Sequence, residues 1–169
     1  HRPDRPVWGL VVFAKTSKAL SRLNDMFRTG DVHKTYWAIT QNCPAEPEAV
    51  LTDWINRNEK QNKSYVYDHE VPGSKKAMLH YKVIGRSDNY TLVEVNLMTG
   101  RHHQIRCQLA NIGCPIKGDL KYGARRSNPD GSISLLARKI EFVHPVSKEK
   151  IYAEAPLPDD RLWREMRML

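Results

Sequence analysis

The fold of this chain depends on one stretch of sequence, T-G-R-H-H-Q-I-R at Thr99–Arg106, where a strand pattern gives way to a helix pattern. Gly100 breaks the preceding alternation of apolar and polar residues. The residues that follow predict a helix over His102–Ile112 that ends at Gly113. Its inward-facing positions, at helical spacing, are Ile105, Leu109 and Ile112.

Outside this stretch the sequence predicts more strands than helices. A first helix begins after a cap at Thr16 or Ser17 and ends at Gly30, and a short helix follows Pro158. The polar segment Arg57–Lys63 is interpreted as a loop or hairpin tip. The predicted strands are Gly9–Ala14, His33–Thr40, Ala77–Ile84, Tyr90–Met98, Ile133–Phe142 and Lys150–Ala155, with the third and fourth forming an antiparallel hairpin. We therefore expect one α+β domain over residues 1–169, with a mainly antiparallel mixed sheet and a few flanking helices.

The charge of the chain favours an anionic partner. Its 169 residues carry 27 Lys and Arg against 19 Asp and Glu, a formal net charge of +8. Such a field attracts polyanions, with nucleic acid the first candidate and an anionic membrane surface the second. No apolar run approaches the roughly 20 residues of a membrane span. The cysteines, Cys43, Cys107 and Cys114, lack metal-site spacing, which predicts reduced thiols in a cytoplasmic protein.

Three clusters have side chains suited to chemistry. Asp4 lies between arginines and prolines just before a glycine, which suits a positioned carboxylate, although a surface salt bridge is the simpler interpretation. Tyr36, at the start of a strand, is able to stack on a base, although a core aromatic is more common there. The third cluster is Thr99–Arg106, where a helix start and arginines attract phosphate.

Within the third cluster, Arg106 lies next to the apolar stripe of the helix. A partly buried arginine needs a carboxylate partner. His102 and His103 are adjacent, so on a helix they point apart, and no acid or cysteine completes a metal site. We expect no metal and no other cofactor.

Taken together and in order, these clusters resemble the RluA-type family of RNA pseudouridine synthases. The family motif H-R-L-D-x-x-T-S-G-L is similar to residues 1–10, and K-x-Y matches Lys34-Thr35-Tyr36. The motif T-G-R-x-H-Q-I-R matches Thr99–Arg106 at all seven fixed positions. Further matches are G-x-P-I-x-G-D-x-x-Y-G over residues 113–123, L-x-A at Leu135-Leu136-Ala137, and F-x-H-P at residues 142–145.

The resemblance covers almost the whole chain, with departures around the first motif. Pro3 stands for the usual Leu, Val7 for Thr and Trp8 for Ser, which affects how the loop packs and meets RNA. Family members also carry further strands before this motif. The resemblance therefore implies a pseudouridine-synthase catalytic fold that is truncated at its N-terminus.

The resemblance implies that the chain isomerises chosen uridines in structured ribosomal or transfer RNA. In that reaction the bond from ribose C1′ to uracil N1 breaks, the base rotates, and it rejoins through C5. Asp4 is then the nucleophile at C1′ or the base that removes the 2′ proton, and Arg106 pairs with it. Tyr36 stacks on the flipped uracil and serves, directly or through water, as base for the C5 proton.

The resemblance also implies a set of RNA contacts. Arg2 fills the space left by the flipped base, and the motif residue Leu135 belongs to the substrate site. Candidates for phosphate contact are Arg5, Arg101, His102 and Lys117. We expect the protein to be a monomer.

Two other functions stay open from the sequence. One is a non-catalytic RNA-binding module that keeps the fold, against which stands the joint presence of Asp4, Tyr36 and Arg106. The other is an RNA hydrolase that uses Asp4 with His102 or His103, which would release cleaved strands or free uracil.

Overall fold

The computed structural model describes residues 4–169, so His1, Arg2 and Pro3 lie outside the described residues. The described part contains three α-helices and nine strands. The helices are α1 (Ser17–Thr29), α2 (Gln104–Asn111) and α3 (Arg161–Glu165), with a 3-10 turn at Leu120–Tyr122. The strands are β1 (Trp8–Gly9), β2 (His33–Thr40), β3 (Glu48–Asn58), β4 (Lys63–Tyr67), β5 (Lys75–Arg86), β6 (Thr91–Leu97), β7 (Leu135–Val143), β8 (Lys150–Glu154) and β9 (Arg167–Met168).

The strands form one sheet in the order β1-β7-β2-β6-β5-β3-β4, with β8 added to β7 and β9 to β5. β1 runs parallel to β7, and the other pairs are antiparallel. The expected α+β fold with a mainly antiparallel mixed sheet is confirmed. No helix among residues 4–169 has the length and apolar character needed to cross a membrane.

Each face of the sheet carries its own core, because successive side chains of a strand point to opposite faces. Along β2, Ala38 belongs to one core and Trp37 to the other. Helix α2 covers the first face and contributes Ile105 and Leu109. Helix α3 covers the second face through Trp163, which is 5% exposed. The site described below lies where α2 meets the first face.

The predicted ends of helix α1 are confirmed. The Thr16 hydroxyl oxygen accepts a hydrogen bond from Ala19 N, and Gly30 ends the helix at a φ of +81°. By contrast, the predicted buried strand over residues 9–14 is wrong. Only Trp8 and Gly9 pair with β7, and the Phe13 side chain is 84% exposed. The apolar run therefore overlaps β1 only at Gly9 and does not form a central strand.

Gly9 joins the N-terminal loop to the sheet, and its backbone leaves no room for a side chain. Its φ is +110°, and a Cβ there would lie 2.3 Å from Ala137 O. We expect Gly9→Ala to lower the free energy of unfolding. Gly30→Ala is the matched control, because Gly30 has a φ of +81° with nothing within 4 Å of its Cβ position.

Strain alone should cost the control about 1–2 kcal/mol. Gly9→Ala should lose roughly 1–3 kcal/mol more from the clash. Urea unfolding of the two variants measures the difference. Equal losses would mean that the close contact between Gly9 and Ala137 does not constrain the loop.

Candidate active site

Asp4 is held at the edge of the sheet by a short, anchored loop. Val7 N donates to Asp4 O at 3.1 Å, which closes a turn, and Ile133 N donates to Pro6 O at 3.1 Å. The pairing of β1 with β7 follows directly. These bonds fix the backbone of a residue whose side chain is 29% exposed, so the carboxylate is positioned and still open to solvent.

Two residues of the α2 region bracket the Asp4 carboxylate. His103 Nε2 lies 3.1 Å from Asp4 Oδ1, and Arg106 Nη1 lies 3.4 Å from Asp4 Oδ2. Burial alone would raise the pKa of Asp4. The hydrogen bonds from His103 and Arg106 and the charge of Arg106 outweigh burial, so the pKa lies below its ordinary value of 3.8. Asp4 is therefore ionised at neutral pH.

Arg106 is fixed by a second carboxylate, which the sequence had not identified. Its Nε and Nη2 donate to Asp119 Oδ2 and Oδ1, both at 2.8 Å. The side chains of Arg106 and Asp119 are 7% and 1% exposed. Burial lowers the pKa of Arg106, but the paired carboxylates raise it more, so the guanidinium stays charged. This bidentate pair sets the orientation in which Nη1 reaches Asp4.

His103 is held from behind by Tyr122. The Tyr122 hydroxyl lies 2.7 Å from His103 Nδ1 and accepts a hydrogen bond from Ser64 N at 2.9 Å. Ser64 lies on β4, so the β3–β4 hairpin contributes to the site. The Tyr122 ring also lies 5.1 Å from the Arg106 guanidinium carbon. Burial is the main cause that raises the pKa of Tyr122 to about 12.

His102 belongs to this network and is neutral, so its phosphate contact, which stays a prediction, would rest on hydrogen bonding and not on charge. Burial, and then the neighbouring His103 and Arg57, lower its pKa to about 4. Its Nδ1 lies 2.7 Å from Ser64 Oγ, and its Nε2 lies 3.1 Å from Asn62 Oδ1. At neutral pH its ring therefore carries no charge to attract phosphate.

Tyr36 lies on β2 and packs against the core beneath α2. Burial, and then the negative charge of Asp4, raise its pKa to about 12. The hydroxyl keeps its proton at neutral pH, which disfavours a phenolate base and leaves stacking and a route through water.

The other predicted contacts lie outside the hydrogen-bonded cluster around Asp4. Arg5 is exposed next to Asp4 in the chain. Arg101 Nε donates to Lys76 O at 2.9 Å, and Lys117 Nζ donates to Asn128 Oδ1 at 2.6 Å. Arg2 lies outside the described residues.

Leu135 is 3% exposed and belongs to the core beneath α2, so its side chain supports the floor of the site. Its contact with the substrate stays a prediction.

Sequence reasoning left out three members of the site, Ser64, Asp119 and Tyr122, and paired His103 with Asp4 only in the alternative of an RNA hydrolase. A signal existed for Asp119 and Tyr122, because both belong to the matched G-D-x-x-Y-G segment and a buried Arg106 required an acid. No signal pointed to Ser64. Within residues 4–169, no group of three or more His, Cys, Asp or Glu side chains is arranged to hold a metal ion.

Chemically, the arrangement offers one ionised carboxylate that is partly open to solvent and is held by two donors. Such a carboxylate suits attack on an electrophilic carbon or removal of a proton. Asp119 is buried and paired with Arg106, so it does not correspond to the second carboxylic acid with which most glycosidases protonate a leaving group.

Comparisons with known proteins point to one family. A family model described as RNA pseudouridylate synthase matches residues 1–111. An uncharacterized RNA pseudouridine synthase of Bacillus subtilis is 34% identical over 160 residues, which cover 95% of this chain and 52% of that protein. Another uncharacterized RNA pseudouridine synthase, from Zymomonas mobilis, is 31% identical over 159 residues, which cover 94% of this chain and 72% of that protein.

Ribosomal large subunit pseudouridine synthase D of Pseudomonas aeruginosa is 33% identical, covering 96% of this chain and 54% of that protein. The chain thus spans about half the length of the first and last of these relatives. Among solved structures, human RNA Pseudouridylate Synthase Domain Containing 4 matches with a TM-score of 0.79 and 25% identity, over 94% of this chain and 70% of that one.

Proposed function

This chain belongs to the family of RNA pseudouridylate synthases, and from that premise we propose that it isomerises uridine to pseudouridine in RNA with Asp4 as the catalytic carboxylate. The observation that carries the proposal is the Asp4 carboxylate itself. It is held ionised between His103 and Arg106 and remains partly open to solvent.

Asp4 acts on the ribose in this proposal, as nucleophile at C1′ or as base for the 2′ proton. Both roles require the ionised form, and the lowered pKa of Asp4 supports both. Each carboxylate oxygen faces one donor, His103 Nε2 or Arg106 Nη1, and has lone pairs left for the substrate. Arg106 orients the carboxylate and is itself held by Asp119.

Tyr36 contacts the uracil in this proposal, after the base has left the RNA stack. Its ring offers a stacking surface, and its hydroxyl, with a pKa raised to about 12, works as a neutral group. We propose that the C5 proton leaves through water ordered by this hydroxyl. Detached uracil stays in the site, so the reaction needs no second acid to expel it.

RNA binding rests on charge around the site. The formal net charge of +8 supports strongly salt-dependent binding to phosphate. Arg5 is exposed beside Asp4 and suits a phosphate contact, as do Arg101 and Lys117 at their positions. Arg2, two residues before Asp4, is proposed to fill the space that the flipped base leaves.

Ribosomal RNA of the large subunit is the first substrate to test, because the relative from Pseudomonas aeruginosa carries that name. Transfer RNA is the second. We propose that the protein acts in the cytoplasm, which fits its free cysteines, two of them buried.

The test is tritium release from large-subunit ribosomal RNA, and separately transfer RNA, transcribed with uridine tritiated at C5. Isomerisation replaces the C5–H bond with the glycosidic bond, so each turnover delivers one tritium to water. We expect the intact chain to release tritium from at least one of these RNAs while the strands stay whole.

Two other outcomes would contradict the proposal. RNA binding without tritium release, in both transcripts, would favour a binding module that keeps the fold. Free uracil or shortened strands would favour hydrolysis by Asp4 with His103 as the neighbouring proton donor. Gel analysis and chromatography of the same reactions distinguish these results.

A further inference from the structure

His103 occupies an unusual position immediately before α2. Its φ is +53°, a left-handed conformation that residues other than glycine rarely adopt, and it makes no side-chain cap to the helix. Its side chain is 3% exposed, and its ring stacks on that of His102 with centroids 3.7 Å apart. Strained backbone of this kind persists where surrounding contacts hold a side chain in place, often at functional sites.

The hydrogen bonds of Tyr122 decide which nitrogen of His103 carries the proton. The phenolic oxygen already accepts from Ser64 N at 2.9 Å, and its own proton remains to be donated. His103 Nδ1, 2.7 Å away, is the acceptor that this proton reaches. The pKa of Tyr122, raised to about 12 chiefly by burial, keeps that proton in place. The imidazole proton is then on Nε2, which faces Asp4 Oδ1 at 3.1 Å.

The tautomer of His103 with its proton on Nδ1 satisfies the neighbouring groups less well. A bare Nε2 would accept from Arg106 Nη1, which lies 3.2 Å away, but would turn a lone pair toward the negatively charged Oδ1 of Asp4. With the proton on Nε2, His103 and Arg106 instead donate to separate oxygens of one carboxylate. The second arrangement satisfies the charge of Asp4 and leaves no acceptor facing another acceptor.

We propose that His103 and Tyr122 are positioning residues, in which the Tyr122 hydroxyl holds His103 in its Nε2–H tautomer and His103 thereby orients the Asp4 carboxylate. The kinetic part of this inference rests on the proposed function. The backbone N–H of Ser64 donates to the Tyr122 hydroxyl and so occupies its acceptor side. This hydrogen bond connects the β3–β4 hairpin to the orientation of Asp4.

A pair of substitutions at His103 separates this role from a structural one. Asparagine tolerates a positive φ better than most residues, but its amide nitrogen reaches only as far as Nδ1 of histidine. Glutamine places its amide nitrogen near the former Nε2. If His103 serves only to hold the left-handed backbone, His103→Asn should leave the activity unchanged. If His103 positions Asp4, the variant loses the donor to Asp4 and should lose activity.

We expect His103→Asn to unfold at the temperature of the parent chain and to lower kcat by about 10²-fold with KM nearly unchanged, because a misplaced catalytic group costs about that much. His103→Gln should recover most of the lost kcat. Tyr122→Phe should lower kcat in the parent chain but not further in His103→Gln, whose amide has no tautomer to fix. An active His103→Asn variant would overturn the proposal, as would a Tyr122→Phe effect of the same size in both backgrounds.

A second measurement does not depend on turnover. Nitrogen-15 spectra of labelled histidine distinguish a protonated imidazole nitrogen from a bare one. We expect His103 to carry its proton on Nε2 in the parent chain and to lose that preference in Tyr122→Phe. A proton on Nδ1 in the parent chain would overturn the inference, even in an active enzyme. Failure of the parent to release tritium would instead reject the proposed function, while the spectrum still decides the hydrogen bonds.

Discussion

Replacing Asp4 with asparagine is expected to abolish pseudouridine formation while the chain remains folded. The substitution keeps the size of the side chain but removes the negative charge that either proposed role of Asp4 requires. We expect tritium release to fall by at least about 10⁴-fold, the scale on which loss of one member of a catalytic unit reduces kcat. Single-turnover release from the RNA that the parent chain modifies measures the effect.

The matched control is Asp159→Asn, the same substitution at a side chain that is 97% exposed and pairs with Arg164. It should leave the rate at the parent value. The thermal midpoint of Asp4→Asn should move by no more than about 3 °C, the shift that roughly 1 kcal/mol produces in a domain of this size. Release above a hundredth of the parent rate would place the catalytic carboxylate elsewhere.

The lowered pKa of Asp4 determines how its contributions to stability and activity depend on pH. The folded pKa of Asp4 lies below 3.8, so the ionised carboxylate stabilises the folded state above that value, and this contribution disappears as the pH falls through the folded pKa. Between about pH 5 and pH 8, Asp4 therefore contributes no change in activity. Any slope in that range belongs to another group.

Local patterns were enough to predict those parts of the fold that carry their own signals. Thr16 and Gly30 mark the ends of α1, and the alternation in His33–Thr40 assigns β2 its two faces. The hairpin of β5 and β6 was predicted for the same reason.

Strands that depend on their neighbours were not predicted. β3 is largely exposed or half-buried along its length, so its sequence lacks a clear apolar alternation. Pairing with β5 over Glu48–Ile55 holds it in the sheet, and that pairing is not visible in β3 itself. The reverse error occurred at residues 9–14, where an apolar run predicted a strand but Phe13 is exposed.

The site followed the same division. Asp4, Tyr36 and Arg106 were identified because their motifs occur in a recognisable order, and the structure brings Asp4 and Arg106 together. Ser64 is 58 positions before Tyr122 in the sequence and donates through its backbone, so its side chain carries no sequence signal. The neutral state of His102 also required the structure, because burial lowers its pKa.

Removal of Arg106 should lower the free energy of unfolding as well as the activity. Arg106→Met takes away the partner of Asp119, whose side chain is 1% exposed, and leaves a buried carboxylate without a counter-charge. Breaking a buried pair in this way costs about 3–5 kcal/mol, a large part of the roughly 5–15 kcal/mol that stabilises a typical domain. Urea unfolding measures the loss. The control is Arg161→Met, which breaks an exposed pair with Glu165 and should cost less than about 1 kcal/mol.

The double variant Arg106→Met with Asp119→Asn separates the two consequences. The neutral amide at position 119 removes the uncompensated charge, so the double variant should be more stable than Arg106→Met alone. Its activity should stay lost, because Asp4 still lacks the guanidinium that lies 3.4 Å from Oδ2. If the double variant regained activity together with stability, Arg106 would act only through the fold. If it were no more stable than the single variant, the Arg106–Asp119 pair would not be the reason that Arg106 is needed for folding.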